Sequence, residues 1–202
     1  IPDSVTSIGP NAFLGCSSLT NIIIPDCVTS IGNSAFSGCT SLTSITIPDS
    51  VTSICDYAFS GCSNLMNVTI SKNVTHIGQS AFSGCNKLSL IVSPNNPQFI
   101  QIDGILYNAD CTQIVYVPES VTTICIPKTV TDFCFRGNTN ICSVSFEYGS
   151  ILLGIPDGAF EGCSALRSIT IPENVTHIGS RAFYYCKRLT SITIPDSMIS
   201  IG

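Results

Sequence analysis

Twelve cysteines are the most reactive side chains in this 202-residue sequence, and their spacing indicates what they do. Six of them recur in one position, three residues before a leucine: Cys16, Cys39, Cys62, Cys85, Cys163 and Cys186. A buried free thiol packs as a small apolar residue, so we expect these six to form a ladder of packed, free thiols. Of the others, Cys125 and Cys134 replace the glycine of a recurring phrase and are the best candidates for a disulfide.

Patterns that carry catalysis are not found in the sequence. His76 and His177 are the two histidines, 101 residues apart, and each replaces a serine of a recurring phrase. The sequence has no Gly-x-Ser-x-Gly turn for a nucleophile, no phosphate-binding glycine loop, and no Cys-x-x-Cys or Cys/His spacing of the kind that binds zinc. It therefore predicts a protein that is not an enzyme and needs no cofactor or metal.

Carboxylates recur in a second position, after a proline, and suggest a weak calcium site. Oxygen ligands stacked along one edge could hold this ion. Lysines interrupt the position at Lys72 and Lys128, and aspartate after proline is ordinary turn chemistry, so a turn is the favoured interpretation. The carboxylates are Asp3, Asp26, Asp49, Asp196, Glu119 and Glu173.

These positions recur because the sequence is a repeat of 23 residues. The phrase IPDSVTSIG at Ile1 returns with small changes at Ile24, Ile47, Ile70, Ile171 and Ile194. Between Leu42 and Ile47 apolar and polar residues alternate, which predicts a strand that ends at Pro48. A short helical or 3₁₀ turn is expected near Ala35 and Phe36. One coil cannot bury its own apolar face, so the coils must stack, with their strands in a parallel sheet.

The middle of the chain departs from this period. Strands at Ile105–Asn108 and 113–117 predict a β-hairpin, and 117–125 and 126–134 both match the recurring phrase only nine residues apart. We interpret 93–146 as a hairpin insertion with shortened repeats, between regular repeats at 1–92 and 147–202. The whole of 1–202 is then one domain. Because the sequence begins at Ile1, we expect it to be a fragment of a longer array.

The pattern LxxIxIPxxVxxIGxxAFxGC resembles the BspA-like, Treponema pallidum-type leucine-rich repeats. Its signature positions are held here by Leu42, Ile45, Ile47, Pro48, Val51, Ile54, Ala58, Phe59, Gly61 and Cys62. The resemblance implies an α/β leucine-rich-repeat solenoid shaped as a horseshoe, with a parallel β-sheet on the concave face and short helical or 3₁₀ turns and loops on the convex side. It also implies a cell-surface or secreted protein that adheres to extracellular matrix, or to a protein or glycan of a host or other cell.

The outward side chains of the predicted sheet, together with the hairpin insertion, are the candidate binding surface for a protein or glycan partner. They are short, uncharged and rich in hydroxyl groups, and the concave faces of solenoids commonly bind partners. A preference of threonine for exposed strands is the alternative explanation. The candidates are Asn21, Ile23, Ser44, Thr46, Asn67, Thr69, Leu90, Val92, Ser168, Thr170, Ser191 and Thr193. Three Asn-x-Ser/Thr sequences, at Asn67, Asn73 and Asn174, are candidates for N-glycosylation.

Composition excludes several other classes of protein. The chain is 44% hydrophobic and 10% charged, which is incompatible with disorder. Eight Lys and Arg residues and a net charge of −5 argue against binding nucleic acid, and the apolar runs are too short to insert in a membrane. The alternative function is a structural spacer or filament, because stacked coils with apolar ends favour head-to-tail self-association. Ice binding by the Ser/Thr rows is a minor third possibility.

Overall fold

The computed structural model describes all 202 residues, and the chain forms two compact units, Ile1–Ala109 and Asp110–Gly202. We call these unit 1 and unit 2. Each is a β-solenoid in which successive repeats, the coils, pair in parallel, and Ser7, Ser30 and Ser53 follow one another at the predicted step of 23 residues. That the two units act as one domain stays a prediction. The structure contains no helix that could cross a membrane.

The predicted strand forms the first of two ladders in each unit, which we call the Ile-x-Ile ladder. In unit 1 it runs through the bridges Asn21 to Ser44 and Ser44 to Asn67 and continues in β4 (Asn67–Ile70) and β6 (Ser89–Val92). In unit 2 it consists of β10 (Thr123–Ile126), β12 (Ser143–Phe146), β14 (Ser168–Thr170) and β16 (Ser191–Thr193). Alternation of buried and exposed residues, as in β4, gives the ladder one core side and one solvent side.

A second ladder, which sequence analysis did not predict, is formed by the Ser-Ile pair of the recurring phrase. We call it the Ser-Ile ladder. In unit 1 its strands are β1 (Ser7–Ile8), β2 (Ser30–Ile31), β3 (Ser53–Ile54) and β5 (His76–Ile77). In unit 2 they are β13 (Gly154–Ile155), β15 (His177–Ile178) and β17 (Ser200–Ile201). Each strand has only two residues, too few for a period-two pattern to be visible in the sequence.

The expected helical or 3₁₀ turns do not form, and the structure contains no helix. The reason lies in how the backbone amides of the turn are used. In unit 1 the amides of Ser34, Phe36 and Gly38 donate to carbonyl oxygens of the next coil, at 2.7–2.9 Å. Ser34 and Gly38 also adopt positive φ angles of 54° and 74°. Alternate amides bonded to another coil leave too few for a helical turn.

The core is built from the predicted phenylalanine and cysteine positions. Phe36, Phe59 and Phe82 stack with ring centroids 5.3 and 5.6 Å apart and planes within 5°. Four of the six ladder cysteines are buried, while Cys16 is exposed and Cys186 is intermediate. The prediction of packed, free thiols is confirmed for the buried members. Dispersion between stacked rings and thiols therefore joins each coil to its neighbour.

The irregular middle contains strands of both units. In unit 1, β7 (Phe99–Ile102) and β8 (Ile105–Asn108) form an antiparallel hairpin that turns at Asp103 and Gly104. In unit 2, β9 (Gln113–Tyr116) pairs in parallel with β11 (Asp132–Phe133). Both segments of the predicted hairpin, at Ile105–Asn108 and 113–117, therefore contain strands. The hairpin of β7 and β8 was not predicted.

One of the two close copies of the recurring phrase was assigned to the wrong element. Residues 126–134 contain β11, which occupies the position of the Ser-Ile pair of the recurring phrase. Residues 117–125 instead lead into β10, where Ile124 is in register with Val144 of the Ile-x-Ile ladder. In both ladders an apolar residue lies three positions before the buried isoleucine, as Val51 does before Ile54 and Leu42 before Ile45. The local sequence therefore fits either ladder, and only the register with the next coil decides.

Candidate functional site

The solvent side of the Ile-x-Ile ladder holds most of the candidate binding residues. Ten of the twelve side chains lie exposed there, and those of unit 2 are in register: Ser168 with Ser191 and Thr170 with Thr193. In unit 1 the hydroxyl-bearing candidates are Ser44, Thr46 and Thr69. Their position on an exposed face follows the prediction, whereas a role in binding stays a prediction.

Two candidates, Leu90 and Val92, are wrongly placed on this face. Leu90 is 3% exposed and is in register with the buried Val68. Val92 is likewise in register with the buried Ile70. The outward residue is Ile91, which is 51% exposed and in register with Thr69. The step from Thr69 to Ile91 is 22 residues rather than 23, and a shift of one residue moves every side chain of a strand to the opposite face.

A groove of about 710 Å³ opens on the same side of unit 2, between the ends of β12 and β14. These two strands pair only as far as Val144 and Ile169. Beyond that point β12 keeps its pairing with β10, as Phe146 does with Ile126, and β14 keeps its pairing with β16. The two strand ends therefore follow different neighbours, and the space between them is the groove.

Extra residues in this coil hold the groove open. The step from Phe146 to Ile171 is two residues longer than the period, and the surplus forms a loop in which Gly149 has a φ of 77°. The loop is attached to the coil before it, because Glu147 N donates to Ile126 O at 2.9 Å and Glu147 Oε2 accepts from Lys128 N at 2.9 Å. The opposite wall of the groove is attached to the following coil, because Ile171 N donates a hydrogen bond to Thr193 O at 3.0 Å.

The lining of the groove is suited to hydrogen bonding without positive charge. Hydroxyl groups come from Ser143, Ser145, Ser168 and Thr170, and carboxylates come from Glu147 and Glu173. Tyr148 projects from the loop with 99% of its surface exposed. Hydroxyls both donate and accept, carboxylates accept, and an exposed tyrosine adds an apolar ring with a polar end. Such a surface can bind sugars or a polar peptide, and it offers no nucleophile paired with a base.

Sequence analysis named Ser168 and Thr170 but not the groove itself. The signal that could have found it is the two-residue surplus between Phe146 and Ile171, because stacked coils of unequal length cannot stay paired throughout. In the irregular middle, Tyr107 and Tyr116 are 5% and 7% exposed, so their rings belong to the core and are not available to a partner.

The three glycosylation candidates differ in what their amides do. Asn73 Nδ2 donates to Asp49 O at 2.8 Å, and Asn174 Nδ2 donates to Leu152 O at 2.7 Å, in each case across to the preceding coil. A glycan is attached through this same nitrogen, so attachment would compete with a bond between coils. Asn67 lies exposed in β4, on the candidate binding face. Glycosylation of any of the three stays a prediction.

The candidate disulfide between Cys125 and Cys134 is not formed, and both thiols are free. The expectation that they occupy the same position of neighbouring coils is wrong. Cys125 is in register with Ser145 in the Ile-x-Ile ladder, whereas Cys134 directly follows β11, which pairs with β9. The misassignment of residues 117–125 is the cause, because it placed Cys125 in the glycine position of the phrase.

The same misassignment affects Glu119, which does not lie on an exposed carboxylate rim. It is buried, and its carboxylate accepts hydrogen bonds from Thr139 N at 3.1 and 3.2 Å. Burial raises the pKa of the Glu119 carboxyl, although the bonds from Thr139 act in the opposite direction. The remaining aspartates of the predicted rim, Asp3, Asp26, Asp49 and Asp196, are exposed.

The sequence matches a known repeat family, and the fold is similar to solved structures. The family model of the BspA type leucine-rich repeat region matches this sequence in six copies, over residues 1–114 and 103–202. A leucine-rich cell surface protein from Faecalibacterium prausnitzii is similar in structure, with a TM-score of 0.73 and 28% identity, over 98% of this chain and 69% of that one. No match was found among curated proteins.

Two further solved structures are similar. The pneumococcal vaccine antigen PcpA matches with a TM-score of 0.83 and 25% identity over 100% of this chain, which spans 57% of PcpA. A leucine-rich repeat protein from Eubacterium ventriosum matches with a TM-score of 0.63 over 96% of this chain and 71% of its own length. At 23% identity, this last match supports the fold alone.

Proposed function

Because the chain belongs to the BspA-type leucine-rich-repeat family, we propose that it is a non-enzymatic recognition or adhesion module that binds a protein or glycan partner through the solvent side of the Ile-x-Ile ladder. Within unit 2, the groove is the proposed binding site on this surface. A cell-surface or secreted location is part of the proposal, and its support is the family together with the similarity to a bacterial cell surface protein.

The observation that carries the proposal is the groove between β12 and β14. Elsewhere on the ladder the candidate side chains are mostly serine, threonine and asparagine, with the exposed Ile23 and Ile91 among them in unit 1. At the groove, hydroxyls of both strands face a common space beside Tyr148, and the two walls are attached to different coils. Binding sites are usually concave and contain a few polar groups that orient the ligand.

The test is binding of the 202-residue chain to immobilised extracellular matrix proteins and to an array of glycans, followed by two substitutions in the groove. Ser168→Glu and Thr170→Lys place a charge on exposed side chains that make no core contact. A charge buried without a partner at the centre of an interface costs several kcal/mol, so we expect affinity to fall about 100-fold or more.

Ser200→Glu is the matched control, because Ser200 is exposed in the same unit but lies in the Ser-Ile ladder. It should leave affinity unchanged, and all three variants should unfold within about 0.5 kcal/mol of the parent. The proposal fails if the folded chain binds neither panel, or if Ser200→Glu weakens binding as much as Ser168→Glu does.

A further inference from the structure

A tyrosine of unit 2 occupies a backbone position that glycine occupies in the other coils. The residue before each ladder cysteine has a positive φ angle, and it is Gly15, Gly38, Gly61, Gly84 or Gly162, with φ between 71° and 77°. Before Cys186 this residue is Tyr185, with a φ of 59°. A bulky side chain in the left-handed region is rare, because its Cβ approaches the carbonyl oxygen.

Packing within the coil gives no reason for this tyrosine. A Cβ built on Gly38 or Gly84 would meet only the glycine of the preceding coil, at 3.5 Å, which is ordinary contact. The position thus has room for a side chain, and its disadvantage is the backbone strain alone. Seven other non-glycine residues of the chain also have positive φ angles, Tyr57 and Arg181 among them, so the angle alone does not mark a site. Tyr185 is distinguished by standing where the five other ladder cysteines are preceded by glycine.

The surroundings of Tyr185 form an exposed cluster of rings and cations, which we call the aromatic–cationic turn. Tyr184 and Tyr185 are 49% and 58% exposed, and their rings meet edge to face with centroids 4.4 Å apart. Arg181 Cζ lies 5.6 Å from the Tyr184 centroid, and Lys187 Nζ lies 5.6 Å from the Tyr185 centroid. The rings hold both cations in place through cation–π attraction, and the exposed Arg188 follows.

The turn carries positive charge on an acidic protein. Three of the eight Lys and Arg residues of the chain lie within residues 181–188, while the net charge is −5. A carboxylate of the preceding coil, Glu161, is already paired with Arg136 at 2.8 Å. Asp157 Oδ1 accepts a hydrogen bond from Ser180 N at 2.7 Å. Arg181, Lys187 and Arg188 form no ion pair with a carboxylate. Their charges therefore remain available to an anionic partner.

We propose that the aromatic–cationic turn, formed by Arg181, Tyr184, Tyr185, Lys187 and Arg188, binds an acidic polysaccharide. This surface is separate from the groove and goes beyond the proposed function. Planar guanidinium and ammonium groups pair with sulfate or carboxylate groups, which recur along such a polymer. The half-exposed tyrosine rings offer apolar surface for the C–H faces of the sugar rings.

Two other anionic partners fit the turn less well. An acidic peptide would gain from an enclosing groove, and the groove of unit 2 is lined by residues 143–150 and 168–174, outside the turn. A lipid surface would need apolar side chains that enter the acyl region. The exposed side chains of the turn are two tyrosines and three cations, and none of them is an aliphatic side chain that could enter the acyl region.

The test is affinity of the 202-residue chain for immobilised heparin, measured at several salt concentrations. The double variant Arg181→Ser with Lys187→Ser places in the turn the serine found at these positions in other coils, and we expect at least a tenfold loss of affinity and a weaker dependence on salt. The control is Lys72→Ser with Lys87→Ser, which removes the same charge from exposed positions of unit 1 and should change affinity less than twofold.

A second variant separates the site from the fold. Tyr185→Gly restores the glycine of the other coils, so we expect the melting temperature to stay the same or to rise while heparin binding weakens several-fold. Unchanged heparin affinity in either turn variant, or equal losses in the control, would overturn the proposal. So would competition by poly-glutamate or by phosphatidylserine vesicles as strong as that by free heparin, because the turn would then bind a peptide or a lipid surface.

Discussion

The thiol of Cys62 donates a hydrogen bond to the main-chain oxygen of Phe36 in the preceding coil, with Sγ and O 3.1 Å apart. Cys39 bonds to Phe13 at 3.2 Å in the same way, and Cys85 bonds to Phe59 at 3.1 Å. In unit 2 the thiol of Cys163 bonds to Phe135 O at 3.2 Å. The recurring cysteine is therefore a donor that joins neighbouring coils as well as a small apolar residue.

These bonds and the burial of the thiols predict a wide range of reactivity. Burial raises the pKa of Cys62 to about 12, so its thiolate, the reactive form, is scarce at pH 8. Iodoacetamide should modify the exposed Cys27 and Cys125 in the native chain and reach Cys62 and Cys85 only after denaturation. Peptide mass analysis measures this, and alkylation of Cys62 as fast as that of Cys27 would contradict it.

The raised pKa values also predict that stability falls at high pH. An unfolded thiol ionises near pH 9.0, whereas Cys62 stays protonated in the folded state up to about 12. As pH rises through this window the unfolded state loses protons first, so the free energy of unfolding decreases. Urea unfolding between pH 7.5 and 10 measures the decrease. Cys62→Val, which cannot ionise, should show a smaller decrease than the parent, and an equal slope would be evidence against a role of the thiol.

Removing one ring of the aromatic stack should be costly. Phe59 is fully buried between Phe36 and Phe82, so Phe59→Ala opens a cavity and should lower the free energy of unfolding by about 3–5 kcal/mol. Tyr148→Ala is the control, because that ring is 99% exposed and its loss should cost less than about 0.5 kcal/mol. Chemical denaturation measures both, and a loss below about 1 kcal/mol at Phe59 would show that the stack is not core.

The glycine of the recurring phrase should be needed only where another coil lies against it. A Cβ on Gly78 would lie 2.6 Å from the main-chain carbon of Cys55, too close without a shift of the coil. We expect Gly78→Ala to cost about 1–3 kcal/mol of stability. Gly9 holds the same position with nothing within 4 Å of a Cβ, so Gly9→Ala should cost far less. Equal melting temperatures for the two variants would refute this account.

The sequence by itself determined the repeat, its core and the face that meets solvent. Phe13, Phe36, Phe59 and Phe82 recur at one interval, and a side chain that returns to the same position in every coil must stack on its copies. The outward hydroxyls followed from the alternation of a single strand, as at Ser44 and Thr46. These features are local or strictly periodic, so no knowledge of neighbouring coils was required to find them.

Only the tertiary structure decided how unequal coils pair. Residues 117–125 fit either ladder, and Leu90 turned inward because its coil is one residue short. The groove beside Tyr148 exists because a coil two residues too long keeps its bonds to one neighbour and loses them to the other. The strain at Tyr185 is likewise a property of the backbone angle that stacking imposes. Register between coils is set by long-range hydrogen bonds, which a short stretch of sequence does not encode.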